Sequence, residues 1–151
     1  MPQHLPVSSK PVARTLAALS AFGALSAFGG ALLGVVMNGA GVPLEYLAGS
    51  PFTSYLVPGL VLGLVVGGTQ LAAAIALLRN WKKSLLVATV AGFGMIIWIF
   101  VELAVIKQYS WLQAVYFTLG VLELILVFAL LGLTPGLVRP FGQPRQLPPN
   151  A

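Results

Sequence analysis

The stretch PGLVLGLVVGGTQLAAAIALL, residues 58–78, decides the fold of this chain because it is uncharged over a length that can cross a bilayer. A membrane-spanning helix needs about 20 predominantly apolar residues. Pro58 suits the first turn of such a helix, where its missing N–H is not required. The stretch therefore predicts a transmembrane helix that ends just before Arg79.

Three further segments are predominantly apolar over a similar length, and together the four predict an all-α integral membrane protein. Residues 15–44 and 46–78 contain no charged side chain. The predicted spans are residues 15–38, 58–78, 84–106 and 111–133, within a transmembrane domain of residues 15–134. Asn38-Gly39 breaks the first span, and Thr134-Pro135-Gly136 stops the last. A polar cytoplasmic leader, residues 1–14, and a Pro-rich cytoplasmic tail, residues 135–151, complete the chain.

The scarcity of charge excludes a soluble domain. Charged residues make up 7% of the 151 residues and apolar residues 58%, whereas soluble domains carry about 25% charged residues. The chain has no Cys, and its one His is His4 in the leader. These counts exclude disulfides, thiolate metal sites and iron–sulfur clusters, and, within one chain, bis-His haem ligation and an intramembrane zinc site. We therefore predict no cofactor and no metal site.

The positive charges orient the predicted helices. Seven of the eight basic residues fall at one end of the spans: Lys10, Arg14, Arg79, Lys82, Lys83, Arg139 and Arg145. Because cytoplasmic loops are enriched in Lys and Arg, both termini are predicted to be cytoplasmic, in the cell inner (plasma) membrane. This topology accounts for the net charge of +5 without nucleic acid as a partner. A cleaved signal peptide is the competing interpretation of the first span, but its apolar run of about 24 residues exceeds a typical signal core.

Small residues recur on the first two spans at the spacing of closely packed helices. Gly59, Gly63 and Gly67 are four residues apart in the second span, and Gly30 and Gly34 repeat that spacing in the first. This spacing aligns small residues on one face, so that a neighbouring backbone can approach closely. We predict that these spans pack as neighbours in an antiparallel four-helix bundle.

The connection between the first two spans, about residues 39–57, is too apolar for a solvated loop. Its apolar and aromatic members are Pro43, Leu44, Tyr46, Leu47, Phe52 and Leu56. Backbone buried in a membrane must be satisfied against protein or a wet cavity. We therefore predict an outer cap that covers an outward-facing pocket.

The most informative polar residue is Glu123, near the middle of the fourth span. An acidic residue at a helix centre costs about 2.5 to 3.5 kcal/mol on insertion scales, so it needs a compensating environment. Gln113, Tyr116 and Gly120 lie on the same helix face and lead from the outer boundary to Glu123. Gln70, near mid-depth in the second span, has an amide that can form a hydrogen bond with Glu123. These residues predict a polar path into the membrane.

Glu102, near the outer end of the third span, is the second acidic side chain within the predicted spans. It is close enough to the interface to snorkel, and Trp98 lies one turn earlier on the same face. Lys107 is close enough in sequence to pair with Glu102 or Glu45. A surface pair of this kind contributes about 0–1 kcal/mol.

Two interpretations of these side chains stay open. In the functional one they form a substrate- or proton-binding site made of Glu123, Gln70, Tyr116, Gln113, Glu102 and Trp98. In the structural one Glu123 stays protonated and donates a single interhelical hydrogen bond, worth about 0.6 kcal/mol. No residue is assigned a catalytic role.

Three functions are weighed accordingly. The favoured one is binding or transport of a small or lipid-soluble molecule, coupled to protons through Glu123. The alternative is a non-catalytic accessory or structural subunit that packs against a larger membrane complex. A lipid-modifying enzyme using Glu102 and Glu123 is the third, and the predicted depths of these carboxyls differ by about 12 Å. The expected partners are membrane lipids and either further copies of the chain, as a homo-oligomer, or a larger membrane complex.

The chain resembles small multidrug-resistance transporters in having four short spans and a membrane-embedded Glu. Those proteins carry their carboxylate in the first span, where residues 15–44 of this chain hold no charge. The chain is also similar to DoxX-like four-helix proteins in size and number of spans. No motif in the sequence assigns it to either family.

Overall fold

Four long apolar helices form the part of the chain that the structure describes. The computed structural model describes residues 8–106 and 108–133, and within them it contains no strand. The helices are α1 (Ser9–Val36), α2 (Leu56–Leu78), α3 (Ser84–Ile106) and α4 (Trp111–Leu130), and each is long and apolar enough to cross a membrane. The prediction of four such helices is confirmed. Residues 1–7 of the predicted leader, Lys107 and the predicted tail lie outside the described residues.

The first and last helices differ in length from the predicted spans. Helix α1 begins at Ser9, so part of the predicted leader forms its first two turns. Helix α4 ends at Leu130 rather than Leu133, because Gly132 adopts a φ of +82°. The Gly132 amide donates to the Ala129 carbonyl at 3.1 Å, and the Leu133 amide donates to the Phe128 carbonyl at 3.2 Å. This pair of bonds is a Schellman motif, which closes a helix through a left-handed residue.

The same motif closes α2 before the short connection to α3. Asn80 has a φ of +51°, and the Trp81 amide donates to the Ala76 carbonyl at 2.9 Å. Asn tolerates the left-handed region better than most residues with a side chain. The connection exposes three basic side chains: Arg79, Lys82 and Lys83.

Helices α1 and α2 approach closely along the predicted glycine stripe. A Cβ on Gly59 would lie 3.2 Å from the Cα of Gly34, and a Cβ on Gly63 would lie 2.8 Å from the Cβ of Ala31. A Cβ on Gly67 would lie 2.9 Å from Cε1 of the Phe28 ring. A Cβ on Gly30 would lie 2.9 Å from the Leu62 side chain. All five predicted packing glycines thus lie in tight places between the two helices.

Part of α2 is wound more loosely than an α-helix. Residues Leu62–Gly67 form a π-helical segment with i→i+5 hydrogen bonds. A four-residue spacing drifts around an α-helix of 3.6 residues per turn, and the wider π turn opposes that drift. Gly59, Gly63 and Gly67 therefore all keep facing α1, and Gln70 is placed in the interior.

Two apolar clusters form the core, with a polar layer between them. Helix α1 packs against α2 and α4, and α3 packs against the same two helices. One cluster includes Leu16 of α1, Leu77 of α2 and Leu130 of α4, and the other includes Val66 and Met95. The small core residues allow the helices to pack closely: Ala13, Ala17, Ala73, Ala88 and Ala91 in the first cluster and Ala27 in the second. The intervening positions on α1, α2 and α4 carry polar side chains.

The segment that joins α1 to α2, residues 37–55, is held by Tyr55. The Tyr55 amide donates to the Asn38 side chain at 2.9 Å, and the Tyr55 hydroxyl donates to the Pro43 carbonyl at 2.9 Å. The ring packs on Gly39, where a Cβ would lie 2.5 Å from a ring carbon and where φ is +94°. A short 3-10 helix, Leu44–Leu47, packs against α3 and buries Leu47. Tyr55 is therefore a buried anchor of this segment.

Candidate functional site

Three polar side chains from three helices meet in the interior. Ser20 of α1, Gln70 of α2 and Glu123 of α4 are completely buried; we call them the inner triad. The Ser20 hydroxyl donates to Glu123 Oε1 at 3.1 Å, and the Gln70 Nε2 group donates to Glu123 Oε2 at 2.8 Å. Each carboxyl oxygen of Glu123 therefore accepts one hydrogen bond, which offsets part of the cost of burying it.

Helix α3 contributes a backbone carbonyl to the same place. Gln70 Nε2 also donates to the Ala91 carbonyl, at 3.4 Å. The amide thereby uses both N–H groups and ties α2 to α3 and α4. The other end of the amide is different, because Gln70 Oε1 is buried and accepts no hydrogen bond from the described residues. Buried polar atoms without a partner are rare and call for a specific explanation.

Glycines bring the helix backbones close around the inner triad. A Cβ on Gly120 of α4 would lie 3.0 Å from the carbonyl oxygen of Gly92 on α3. On α1, a Cβ at Gly23 would lie 3.0 Å from Cδ and 3.1 Å from Oε1 of Gln70, and 3.3 Å from Cε of Met95. The Gln70 amide thus fits against α1 because residue 23 has no side chain.

A cavity of about 620 Å³ occupies the part of the protein nearer to the α1–α2 segment. All four helices contribute to its wall, and Gly39, Phe52 and Tyr55 of the segment also line it. The wall is mostly apolar. Its polar and aromatic side chains on the helices are Ser26, Trp98, Glu102, Gln113 and Tyr116.

Glu102 and Gln113 form a second polar contact at the edge of this cavity, which we call the outer pair. Gln113 Nε2 donates to Glu102 Oε1 at 3.3 Å. The other end of the Gln113 amide accepts from the Ser110 amide at 2.8 Å, and the Ser110 hydroxyl accepts from the Leu112 amide at 3.3 Å. This arrangement is a capping box that starts α4. Gln113 is therefore held by the local chain, and it in turn positions Glu102.

The predicted site residues fall into these two groups. The hydrogen bond expected between Gln70 and Glu123 is present, and neither residue lines the cavity. Trp98 and Tyr116 line the cavity together with the outer pair. Gln113 and Glu123 are ten residues apart on α4, a rise of about 15 Å. The residues predicted to form one polar path therefore form two groups. The outer group lines the cavity, and the inner group does not.

One member of the inner triad is absent from the predicted site. Ser20 begins a stripe of small residues on α1 that continues through Ala24, Ala27, Gly30 and Gly34, and a hydroxyl there looks like another small packing residue. Its polar role depends on α1 lying against α4, a contact that the spacing within α1 does not reveal. The sequence offers no signal that distinguishes Ser20 from Ser26, the other serine of the first predicted span.

Comparison of the chain with protein-family models, curated proteins and solved structures finds no match. Among the residues that the structure describes, no group of three or more His, Cys, Asp or Glu side chains is placed to hold a metal ion. The cavity, the outer pair and the inner triad are therefore the features that can indicate a function.

Proposed function

We propose that the chain is a multi-pass protein of the cell inner (plasma) membrane, built as an antiparallel bundle with both termini in the cytoplasm. The apolar cluster that contains Leu16, near the start of α1, also contains Leu77, Ala88 and Leu130. This grouping supports placing the start of α1, the α2–α3 connection and the end of α4 at one end of the molecule. The basic residues described there would then all face the cytoplasm.

The function that the geometry supports best is binding or transport of a small lipid-soluble molecule in the cavity. The observation that carries this proposal is the cavity of about 620 Å³, which lies within the range of small-molecule sites, about 300–1,000 Å³. Such sites are mostly apolar and contain a few polar groups that orient the ligand. Glu102, Trp98 and Tyr116 would supply that orientation here.

Proton coupling through Glu123 belongs to the same proposal. Gly23 and Met95 line the cavity. Gly23 lies against the Gln70 amide that bonds Glu123, and the end of the Met95 side chain lies beside Gly23. An ionisable residue in the middle of a membrane is a functional hypothesis by default, because its insertion is costly. The Gln70 amide gives a physical route by which a molecule in the cavity would alter the surroundings of Glu123.

The outward faces of the helices suit a lipid environment or a second copy of the chain. Large apolar side chains are exposed on every helix, including Leu25, Leu64, Ile97 and Ile125. Contiguous exposed apolar surface marks a membrane or an interaction site. We include membrane lipids and further copies of the chain among the proposed partners.

Tryptophan fluorescence can test binding in the cavity. The chain has three Trp residues, of which Trp98 lines the cavity and Trp111 is largely exposed. In lipid nanodiscs, 1-adamantanol should change the fluorescence of a variant that retains only Trp98, and this change should saturate as the ligand concentration rises. A matched variant that retains only Trp111 should report partition into lipid, without saturation. The same non-saturating response from both variants would contradict the proposal.

A further inference from the structure

The unpartnered oxygen of Gln70 has a fixed direction. The other end of the amide faces two acceptors, Glu123 Oε2 at 2.8 Å and the Ala91 carbonyl at 3.4 Å. Only an N–H₂ group can donate to both, so the oxygen is the end that points towards α1. It lies there without a donor from the described residues, although Gln70 is completely buried.

The missing donor can come from the cavity. Oε1 lies 3.1 Å from the point that a Cβ on Gly23 would occupy, and Cε of Met95 lies 3.3 Å from that point. Gly23 and Met95 both line the cavity. The oxygen therefore lies next to Gly23, a residue of the cavity wall without a side chain, and the flexible end of Met95 lies near the same point. Contact between the oxygen and a molecule in the cavity would require Met95 to move.

The polar groups around the cavity favour a donor that carries positive charge. Its polar side chains include one carboxyl, that of Glu102, and none of the described residues that line it is basic. Trp98 and Tyr116 present aromatic rings, which attract cations through their faces. The Glu123 carboxyl lies directly behind the Gln70 amide.

We propose that the cavity binds a lipophilic amine in its protonated form, and that an ammonium N–H donates to Gln70 Oε1 between Gly23 and Met95. This inference rests on the proposed function and names its ligand class. The apolar body of the amine fills the cavity. Gln70 then links the ligand to Glu123, because one end of its amide accepts from the ammonium while the other end donates to the carboxyl.

The decisive probes differ by one methyl group. At neutral pH, N,N-dimethyl-1-adamantylammonium has one N–H, and N,N,N-trimethyl-1-adamantylammonium has the same charge and no N–H. Titration of the variant that retains only Trp98 should show the dimethyl compound binding about tenfold more tightly, the effect expected from a hydrogen bond to a charged group. The uncharged 1-adamantanol measures binding that does not depend on charge.

A matched pair of glycine variants tests the contact itself. Gly23→Ala would crowd the Gln70 amide, so the two ammonium compounds should bind the variant with equal affinity. Gly68→Ala changes the same residue type on the helix that carries Gln70, at a position that does not line the cavity and where a Cβ meets nothing within 4 Å. That variant should retain the tenfold preference.

The outcomes separate the two proposals. Saturable binding of all three compounds, with equal affinities for the two ammonium ions, would overturn the amine inference and leave the proposed function standing. Absence of saturable binding by any of them would remove the proposed function. If Gly23→Ala fails to fold, as shown by its circular dichroism and elution from size exclusion, the comparison of ammonium probes on the unaltered residue still decides.

Discussion

The two carboxyls within the helices are held in contrasting ways. Glu102 is partly exposed at the cavity edge, and its partner Gln113 is placed by the capping box at the start of α4. Glu123 is completely buried, and its partners come from α1 and α2, 103 and 53 residues away in sequence. The outer pair thus depends on local chain geometry, whereas the inner triad exists only when the helices are packed. We expect perturbation of the inner triad to affect the whole protein and perturbation of the outer pair to stay local.

The largest expected effect on stability is that of Gln70→Leu. It would leave Glu123 Oε2 buried without its donor, and we expect a loss of about 3 kcal/mol of unfolding free energy, as for an unpaired buried polar group. Gln113→Leu is the matched change at the outer pair and should cost about 1 kcal/mol. Adding Glu123→Leu to Gln70→Leu should restore much of the loss, since replacing both partners by apolar groups removes the orphan. The free energy of unfolding is measured in mixed micelles. Equal losses for Gln70→Leu and Gln113→Leu would contradict the distinction between the inner triad and the outer pair.

The next effect concerns the contact that brings α1 and α2 together. Gly59→Ala would place a Cβ 3.2 Å from the Cα of Gly34, and backbone cannot move aside as a side chain can. We expect a loss of about 2 kcal/mol, typical of overpacking. Gly68→Ala on the same helix is the control, because a Cβ there meets nothing within 4 Å. Equal unfolding midpoints for Gly59→Ala and Gly68→Ala would contradict this prediction.

A smaller and local effect is expected at the start of α4. Ser110→Ala removes the side-chain cap that the Leu112 amide donates to, and the loss of such a cap costs about 1 kcal/mol. Amide hydrogen exchange should accelerate in the first turn of α4 and remain unchanged around Glu123. Accelerated exchange at both places would show that the outer pair and the inner triad unfold as one unit.

The smallest effect is expected at Tyr55, which anchors the segment between α1 and α2. Tyr55→Phe removes the hydrogen bond to the Pro43 carbonyl and should cost about 0.5 kcal/mol. Burial, and secondarily the nearby Tyr46, raise the pKa of Tyr55 above the ordinary value of 10.0. The folded state favours the neutral phenol. Its contribution to the free energy of unfolding is therefore present below pH 10 and is lost as the pH rises through the raised pKa. Ultraviolet titration of the phenolate in the wild type and in Tyr55→Phe would detect a late-ionising Tyr; its absence would contradict this assignment.

Sequence reasoning was most successful where a local pattern determines the structure. The four helices follow from long apolar runs with at most one charged residue in each predicted span, and the glycine spacing of α2 indicates the residues that face α1. The contact between Gln70 and Glu123 was predictable from their similar depth, because a costly carboxyl needs a donor. The early end of α4 depends on Gly132, a helix-ending signal that comes before the stronger one at residues 134–136.

Other features depended on contacts that no local pattern reveals. Ser20 joins Glu123 only because α1 lies against α4, and Tyr55 is an anchor only because Asn38 and Gly39 fold back onto it. Ser110, followed three residues later by Gln113, matches the pattern of a capping box. Gln113 also lies on the same helix face as Glu123, and that position favoured a polar path instead. Short-range capping chemistry therefore positions Gln113, and its part in a binding site stays a prediction.

A proton-release measurement can show whether a ligand in the cavity is linked to Glu123. Adding the neutral ligand 1-adamantanol to the weakly buffered protein, with a pH-sensitive dye, changes the dye signal only if the protein itself binds or releases protons. We expect a saturable signal from the wild type and none from Glu123→Gln, which keeps an amide in the same place. An equal signal from both proteins, or no signal from the wild type at saturating ligand, would show that ligand binding and the protonation of Glu123 are independent.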